Sequence, residues 1–201
     1  RQCAIGLMRQ AGLAVRVDTA GSIVARRAGG DSQAPAIAMG SHVDTVPSGG
    51  KYDGALGVLG AIEVVRSLND LDVVTRHPLE VLVFTNEEGT RYQRWLFGSR
   101  AMAGLLEPSD LDAVDGEGVS IAERLGAVGG DMERISEARR WKGELRAYLE
   151  LHIEQGPVLH QTGIPIGVVT GITGRIVFDV RVMGAANHAG TTPMDARKDA
   201  L

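Results

Sequence analysis

Apolar runs that end in histidines and acids constrain this chain more than any other feature. Ala36 to Ser41, Leu79 to Thr85 and Leu145 to Ile153 are each apolar and long enough for a buried strand. Each leads into polar side chains able to bind a metal: His42 and Asp44, then Glu87 and Glu88, then His152, Glu154 and Gln155. Between the first two runs, Ala55 to Leu68 carries apolar residues at helical spacing. Strands alternating with a helix predict an α/β sheet, and open α/β sheets collect their ligands beyond the C-terminal ends of the strands.

The remaining pattern fills in around that sheet. Leu13 to Val17 and Ser22 to Arg27 flank Asp18-Thr19-Ala20-Gly21 and predict a β-hairpin. Phe97 to Leu106 is expected to be a short helix, Val119 to Leu125 and Glu133 to Arg140 helical pieces, and Gly156 to Gln161 another helix. Ile164 to Thr170 reads as a strand. From Gly174 to Met183, Ile176, Phe178, Val180 and Val182 alternate with polar residues, predicting a half-exposed antiparallel strand. The change of pattern near Gly171 marks the expected domain boundary, with residues 1–170 in one domain and 171–201 beginning a second. The chain opens at Arg1 and stops at Leu201 within a helical pattern, so a fragment is expected.

Composition narrows the function classes. A net charge of −4 argues against a general nucleic-acid surface. The single cysteine, Cys3, rules out an internal disulfide and a thiolate zinc site, so any metal must use His, Asp and Glu. Cys3 is expected to be a small buried apolar residue rather than a nucleophile. No apolar run approaches the roughly 18 residues of a membrane span, and the cytoplasm is the expected compartment.

Each candidate has a plain alternative. Asp44, two residues beyond His42, lies on the same side of an extended chain and could accept a hydrogen bond from its ring, fixing the tautomer, although a surface turn would look the same. Asp53 could be a ligand or simply the N-cap of the helix that follows. Glu87 and Glu88 would point to opposite sides of an extended chain, one to a metal and one to the reaction, unless they form a charged loop. His152 could be a structural histidine. His77 and His160 are expected at the surface. Taken together, His42, Asp53, Glu88 and His152 form a nitrogen and oxygen ligand set suited to Zn, Mn, Co or Ni.

Six ordered blocks then carry a resemblance: GSHVDT (40–45), GGKYDGALGVLGAIE (49–63), FTNEEGTRY (84–92), FGSRAMAG (97–104), LELHIEQGPVL (149–159) and GAANHAGTTPMDARKDA (184–200). The chain resembles the amidase, hydantoinase/carbamoylase group of the di-metal aminoacylase/carboxypeptidase superfamily, and resembles its N-terminal half. That resemblance implies an α/β, di-zinc exopeptidase-like catalytic domain, a mixed sheet with helices on both faces, followed by the start of a smaller α+β lid and dimerisation domain. It implies two divalent metal ions per complete subunit. His42, Asp53 and His152 would hold one, and Asp53 would bridge to a second held by Glu88.

By the same resemblance Glu87 would be the general base and Gln155 a substrate contact. His188 would stabilise the oxyanion in the neighbouring subunit of a homodimer; Asn187 and Arg197 lie near it and are assigned no catalytic role. The implied reaction cleaves the C–N bond of a small-molecule ureido substrate, first an N-carbamoyl-L-amino acid. The alternatives are allantoate, ureidoglycolate or β-ureidopropionate. More distant ones are an aminoacylase or peptidase, against which His152 in place of an acid argues, and a silent dimeric scaffold. No nucleic-acid or membrane partner is expected.

Overall fold

The computed structural model describes residues 1–174 and 176–200. It divides into two compact units, Arg1–Gln155 and Gly156–Leu201. The division falls upstream of the change of pattern at Gly171.

The first unit is built on one mixed sheet. Its strands are β1 (Ala14–Val17), β2 (Ile23–Arg27), β3 (Ala36–His42), β4 (Leu79–Phe84) and β5 (Leu145–Leu149), in the order β1-β2-β4-β3-β5. The expected hairpin is present: β1 pairs antiparallel with β2, and β2 with β4. Its turn is closed by Asp18, whose carboxylate accepts the Ser22 N–H at 2.8 Å, and by Gly21 at φ 77°. β3 runs parallel to both β4 and β5.

Helices cover both faces. On one, α1 (Gln2–Gln10) and α2 (Ala55–Asp70) pack Met8, Val58, Ile62 and Val65 against Ile23, Ala25, Val81 and Val83. On the other, Met102 of α3 (Phe97–Ala103) meets Val24, Ala38 and Leu82. The alternation of these strand residues between faces is the period-two geometry of a strand buried on both sides. Beyond α3 come α4 (Pro108–Leu111), α5 (Ile121–Ala127) and a 3₁₀ turn at Ile135–Ala138, which pack around Phe97 and Tyr92. Glu80 is the one charged residue in the run of β4. It is 2% exposed and is held by Arg26 at 2.7 Å and by Arg140.

Three expectations change. Cys3 is exposed, because α1 turns Ala4, Ile5 and Met8 to the core and leaves Cys3 on its outer side. His77 is half-buried, its Nδ1 2.8 Å from the Pro35 carbonyl. The expected strands over 164–170 and 174–183 are absent among the described residues, while Arg175 lies outside them. Alternation specifies a face, but a strand also needs a neighbour for its N–H and C=O groups. In the described part of the second unit, only Ala185 and Lys198 make such a bridge. That unit otherwise holds α6 (Val158–Thr162), with His160 exposed on it, and a 3₁₀ turn at Met194–Ala196. No helix among the described residues is long and apolar enough to cross a membrane.

Candidate metal centre

Because β4, β3 and β5 are parallel neighbours, their C-terminal ends deliver side chains to one place. His42 is the last residue of β3, opposite Phe84 at the end of β4, and its side chain is only 3% exposed. Asp53 comes from the loop before α2, Glu87 and Glu88 follow β4, and His152 follows β5. His42, Asp53 and His152 each offer a ligand atom within 4.8 Å of the others, and so do His42, Glu87 and Glu88.

The tautomers of both histidines follow from their backbone partners. Nδ1 of His42 lies 2.9 Å from the Asp44 carbonyl, and Nδ1 of His152 lies 2.9 Å from the Ile153 carbonyl. A carbonyl oxygen only accepts, so each Nδ1 carries the proton and each Nε2 presents a lone pair. Both Nε2 atoms face the same oxygen: Asp53 Oδ1 is 3.2 Å from that of His152 and 3.7 Å from that of His42. Asp53 Oδ1 is itself buried and has no hydrogen-bond partner. Two lone pairs converging on an unpartnered carboxylate oxygen repel one another, and a cation among them removes that repulsion. The donor set therefore fits a divalent metal ion.

Asp53 does not cap α2. The N-cap is Gly54, at φ 62°, and no side chain caps the helix. This frees the Asp53 carboxylate for the site, where Oδ2 accepts from the Gln155 amide at 2.9 Å. Gly54 also lies against the His42 imidazole, since a Cβ there would come within 2.6 Å of three ring carbons. Gln155, expected as a substrate contact, thus holds a carboxylate within this unit.

Glu87 and Glu88 do not point apart. Both present an oxygen to the His42 region, with Glu87 Oε2 3.5 Å from His42 Nε2. The alternation rule fails because β4 ends at Phe84 and Asn86 adopts φ 50°, so the two acids lie on a loop. Asp44 also acts differently than expected. Its main-chain carbonyl takes the His42 proton, while its carboxylate accepts the Glu88 N–H at 3.0 Å and so holds the acidic loop. Burial pushes the Glu87 carboxyl above its ordinary range; His42 opposes this, and Glu88, Asp44 and Glu150 add to it.

Glu150 and Gly54 escaped the sequence reading. Glu150 accepts hydrogen bonds from the hydroxyls of Ser41 and Tyr148, the latter at 2.8 Å. Burial and Glu150 hold the Tyr148 phenol above its usual range. Glu150 stands two residues before His152, so the period of the strand could have pointed to it. His188 belongs to the second unit, where its Nδ1 lies 3.1 Å from the Gly190 N–H and 3.2 Å from that of Thr191.

Comparison with known proteins shows the family. The model of peptidase family M20/M25/M40 matches residues 38–197. The N-carbamoyl-L-amino acid amidohydrolase of Geobacillus stearothermophilus is 48% identical over 194 residues, covering 96% of this chain and 47% of that protein. The allantoate deiminase of Arabidopsis thaliana is 39% identical over 201 residues, covering 98% of this chain and 38% of that protein. Among solved structures, a hydantoinase/carbamoylase family amidase from Burkholderia ambifaria aligns with a TM-score of 0.78 and 42% identity, covering 99% of this chain and 48% of that one. The chain spans about half the length of the curated relatives it matches. With four-fifths of its residues inside the family match and a mixed sheet that gathers histidines and carboxylates at its strand ends, the chain belongs to peptidase family M20/M25/M40.

Proposed function

We propose that this chain is part of a metal-dependent hydrolase that cleaves the C–N bond of a ureido group, converting an N-carbamoyl-L-amino acid to the amino acid, ammonia and carbon dioxide. The observation that carries the metal requirement is Asp53 Oδ1, buried without a hydrogen-bond partner between the Nε2 atoms of His42 and His152. Similarity to the Geobacillus amidohydrolase supports the substrate class. Allantoate is the second reading, favoured by the similarity to the Arabidopsis deiminase.

In this reading His42, Asp53 and His152 hold one divalent ion, and Asp53 and Glu88 contribute to a second. Zn, Mn, Co and Ni all suit such donors. When bound, such ions lower the pKa of water and polarise a carbonyl. The chain supplies the remaining parts. Glu87, 3.5 Å from His42 Nε2, takes a proton from water as the water oxygen attacks the ureido carbonyl. Glu87 then gives that proton to the departing nitrogen, and ammonia leaves. The N-carboxy product loses carbon dioxide. Asp44 keeps the Glu87-Glu88 loop against β3, and Gln155 orients Asp53. His188 donates to the oxyanion from the lid of a neighbouring subunit in a homodimer, and the reaction belongs to the cytoplasm. Residues 1–170 serve the catalytic domain and 171–201 begin the lid.

The test is ammonia release by the full-length protein, stripped of metal and reloaded separately with Zn, Mn, Co or Ni. Substrates are N-carbamoyl-L- and D-amino acids, N-carbamoyl-β-alanine, allantoate, ureidoglycolate and N-acetyl amino acids. Metal-dependent ammonia from an N-carbamoyl-L-amino acid is expected. Cleavage of acetyl substrates with no ammonia from any ureido compound would sink the proposal.

A further inference from the structure

We infer that Arg197 is a positioning residue that sets the tautomer of His188, so that Nε2–H is the group His188 offers. This rests on the reading of His188 as an oxyanion donor.

The argument begins with which atoms can donate. His188 Nδ1 is approached by two main-chain N–H groups, those of Gly190 at 3.1 Å and Thr191 at 3.2 Å. An N–H only donates, so Nδ1 holds the lone pair and Nε2 carries the proton. This is the opposite of His42 and His152, where Nδ1–H donates to a carbonyl and Nε2 is the ligand atom. One chain thus prepares two histidines to bind a cation and a third to donate a hydrogen bond. A neutral imidazole with Nε2–H matches a site where negative charge develops on oxygen.

The turn that imposes this tautomer is held by one side chain. Arg197 donates through Nε to the Thr192 carbonyl at 3.3 Å and through Nη2 to the Ala189 carbonyl. The Ala189 carbonyl and the Gly190 N–H belong to the same peptide plane, and in a trans peptide they point in opposite directions. Fixing Ala189 O on the guanidinium therefore aims Gly190 N–H at the imidazole. The second prong holds the Thr192 carbonyl, in the residue that follows Thr191, whose N–H also meets Nδ1. Thr192 N–H closes the turn on the His188 carbonyl at 3.2 Å. The bridge between Ala185 and Lys198 brings Arg197 beside the turn. The planar guanidinium meets both carbonyls from one rigid group, a geometry that a lysine ammonium on its flexible stem does not reproduce.

The experiment compares Arg197→Gln, Arg197→Lys and His188→Gln in the full-length, metal-loaded protein. Imidazole nitrogen NMR, with the His188 signal assigned by its loss in His188→Gln, reads the tautomer directly. Steady-state kinetics on the N-carbamoyl substrate supply kcat and KM. We expect His188 as Nε2–H in the unsubstituted protein and as a tautomer mixture in Arg197→Gln. We also expect an Arg197→Gln kcat down about tenfold at unchanged metal content, as for other residues that orient a functional side chain. The fall should vanish in the His188→Gln background. Arg197→Lys, which keeps the charge facing Asp199 at 4.0 Å, should show the same tautomer mixture. An unchanged tautomer in both Arg197 variants, or an equal fall of kcat in the His188→Gln background, overturns the inference. If His188→Gln leaves kcat unchanged while the tautomer still follows Arg197, the positioning stands and the oxyanion role of His188 fails.

Discussion

Replacing Gly54 by alanine tests the geometry of the candidate metal centre without touching any ligand. The new Cβ would stand 2.6 Å from Cγ, Cδ2 and Cε1 of His42, whereas carbons pack comfortably at about 3.5–4.0 Å. The His42 side chain is 3% exposed, so the ring has no free space into which to turn and must move by about 1 Å as a body. Its Nε2 lies 3.7 Å from Asp53 Oδ1 and 3.5 Å from Glu87 Oε2, while metal–ligand distances are held to within about 0.2 Å. A displacement several times that tolerance should weaken metal binding about 10- to 100-fold, or roughly 1.4–2.7 kcal/mol. Alanine at φ 62° adds about 1–2 kcal/mol of backbone strain. This lowers the Tm of the metal-free protein by roughly 2–8 °C. Calorimetric titration with Zn and thermal unfolding of the stripped protein read the two effects separately. Gly50→Ala is the control, because its Cβ would meet nothing within 4 Å. A Gly54→Ala protein that binds Zn within threefold of the parent would show that His42 is not held where the structure puts it, or is not a ligand.

Three further perturbations address the base, the core and a buried acid. Glu87→Gln should reduce turnover by about 10²- to 10⁴-fold with metal content nearly unchanged, as measured by ammonia release and elemental analysis; loss of metal together with activity would remove the base assignment. Glu80→Ala leaves Arg140 without its buried carboxylate and should cost about 3 kcal/mol in urea unfolding, at the low end for a buried pair because Arg26 is 42% exposed; a cost below 1 kcal/mol contradicts the reading. Burial raises the Asp18 carboxyl above its ordinary value, and its Oδ2 has no hydrogen-bond partner. In the pH window between its unfolded and folded values the folded state binds more protons, so stability falls as pH rises through that window. Asp18→Asn should flatten that slope and raise the midpoint at neutral pH, while an unchanged profile refutes the burial argument.

Much of the fold was legible because its signals are local and redundant. The hairpin at Asp18–Gly21 has both turn chemistry and flanking β-branched residues. β3 and β4 are apolar runs of strand length leading into polar residues, and α2 is a longer segment with apolar residues at helical spacing. What failed, failed where a pattern needed something beyond itself. The alternation over 176–182 announces a strand, yet pairing requires a partner strand, which the pattern does not supply. Taken alone, Asp53 reads more readily as a cap than as a ligand, and the structure reverses this by placing Gly54 at the N-cap position. Adjacent acids were placed on opposite sides by a rule for extended chain, and Asn86 at φ 50° ends the extended chain before they begin.

The deepest gap lies in the protons. HxD suggests a carboxylate behind a histidine, and a carboxylate is indeed nearby, but the hydrogen bond that sets the His42 tautomer is to a main-chain carbonyl two residues on. His152 uses the carbonyl of the next residue, and His188 is fixed by N–H groups two and three residues on. Every main chain offers both kinds of partner, so residue type cannot tell which one a ring will meet. The choice is made by turn geometry: carbonyls face the ring where the chain leaves a strand, and N–H groups face it where the chain folds back in a turn clamped by Arg197. Which nitrogen of each of these rings is left to accept or to donate is therefore set within three residues of it, in backbone direction, and a reading confined to side-chain identity recovers the place of a site before it recovers its chemistry.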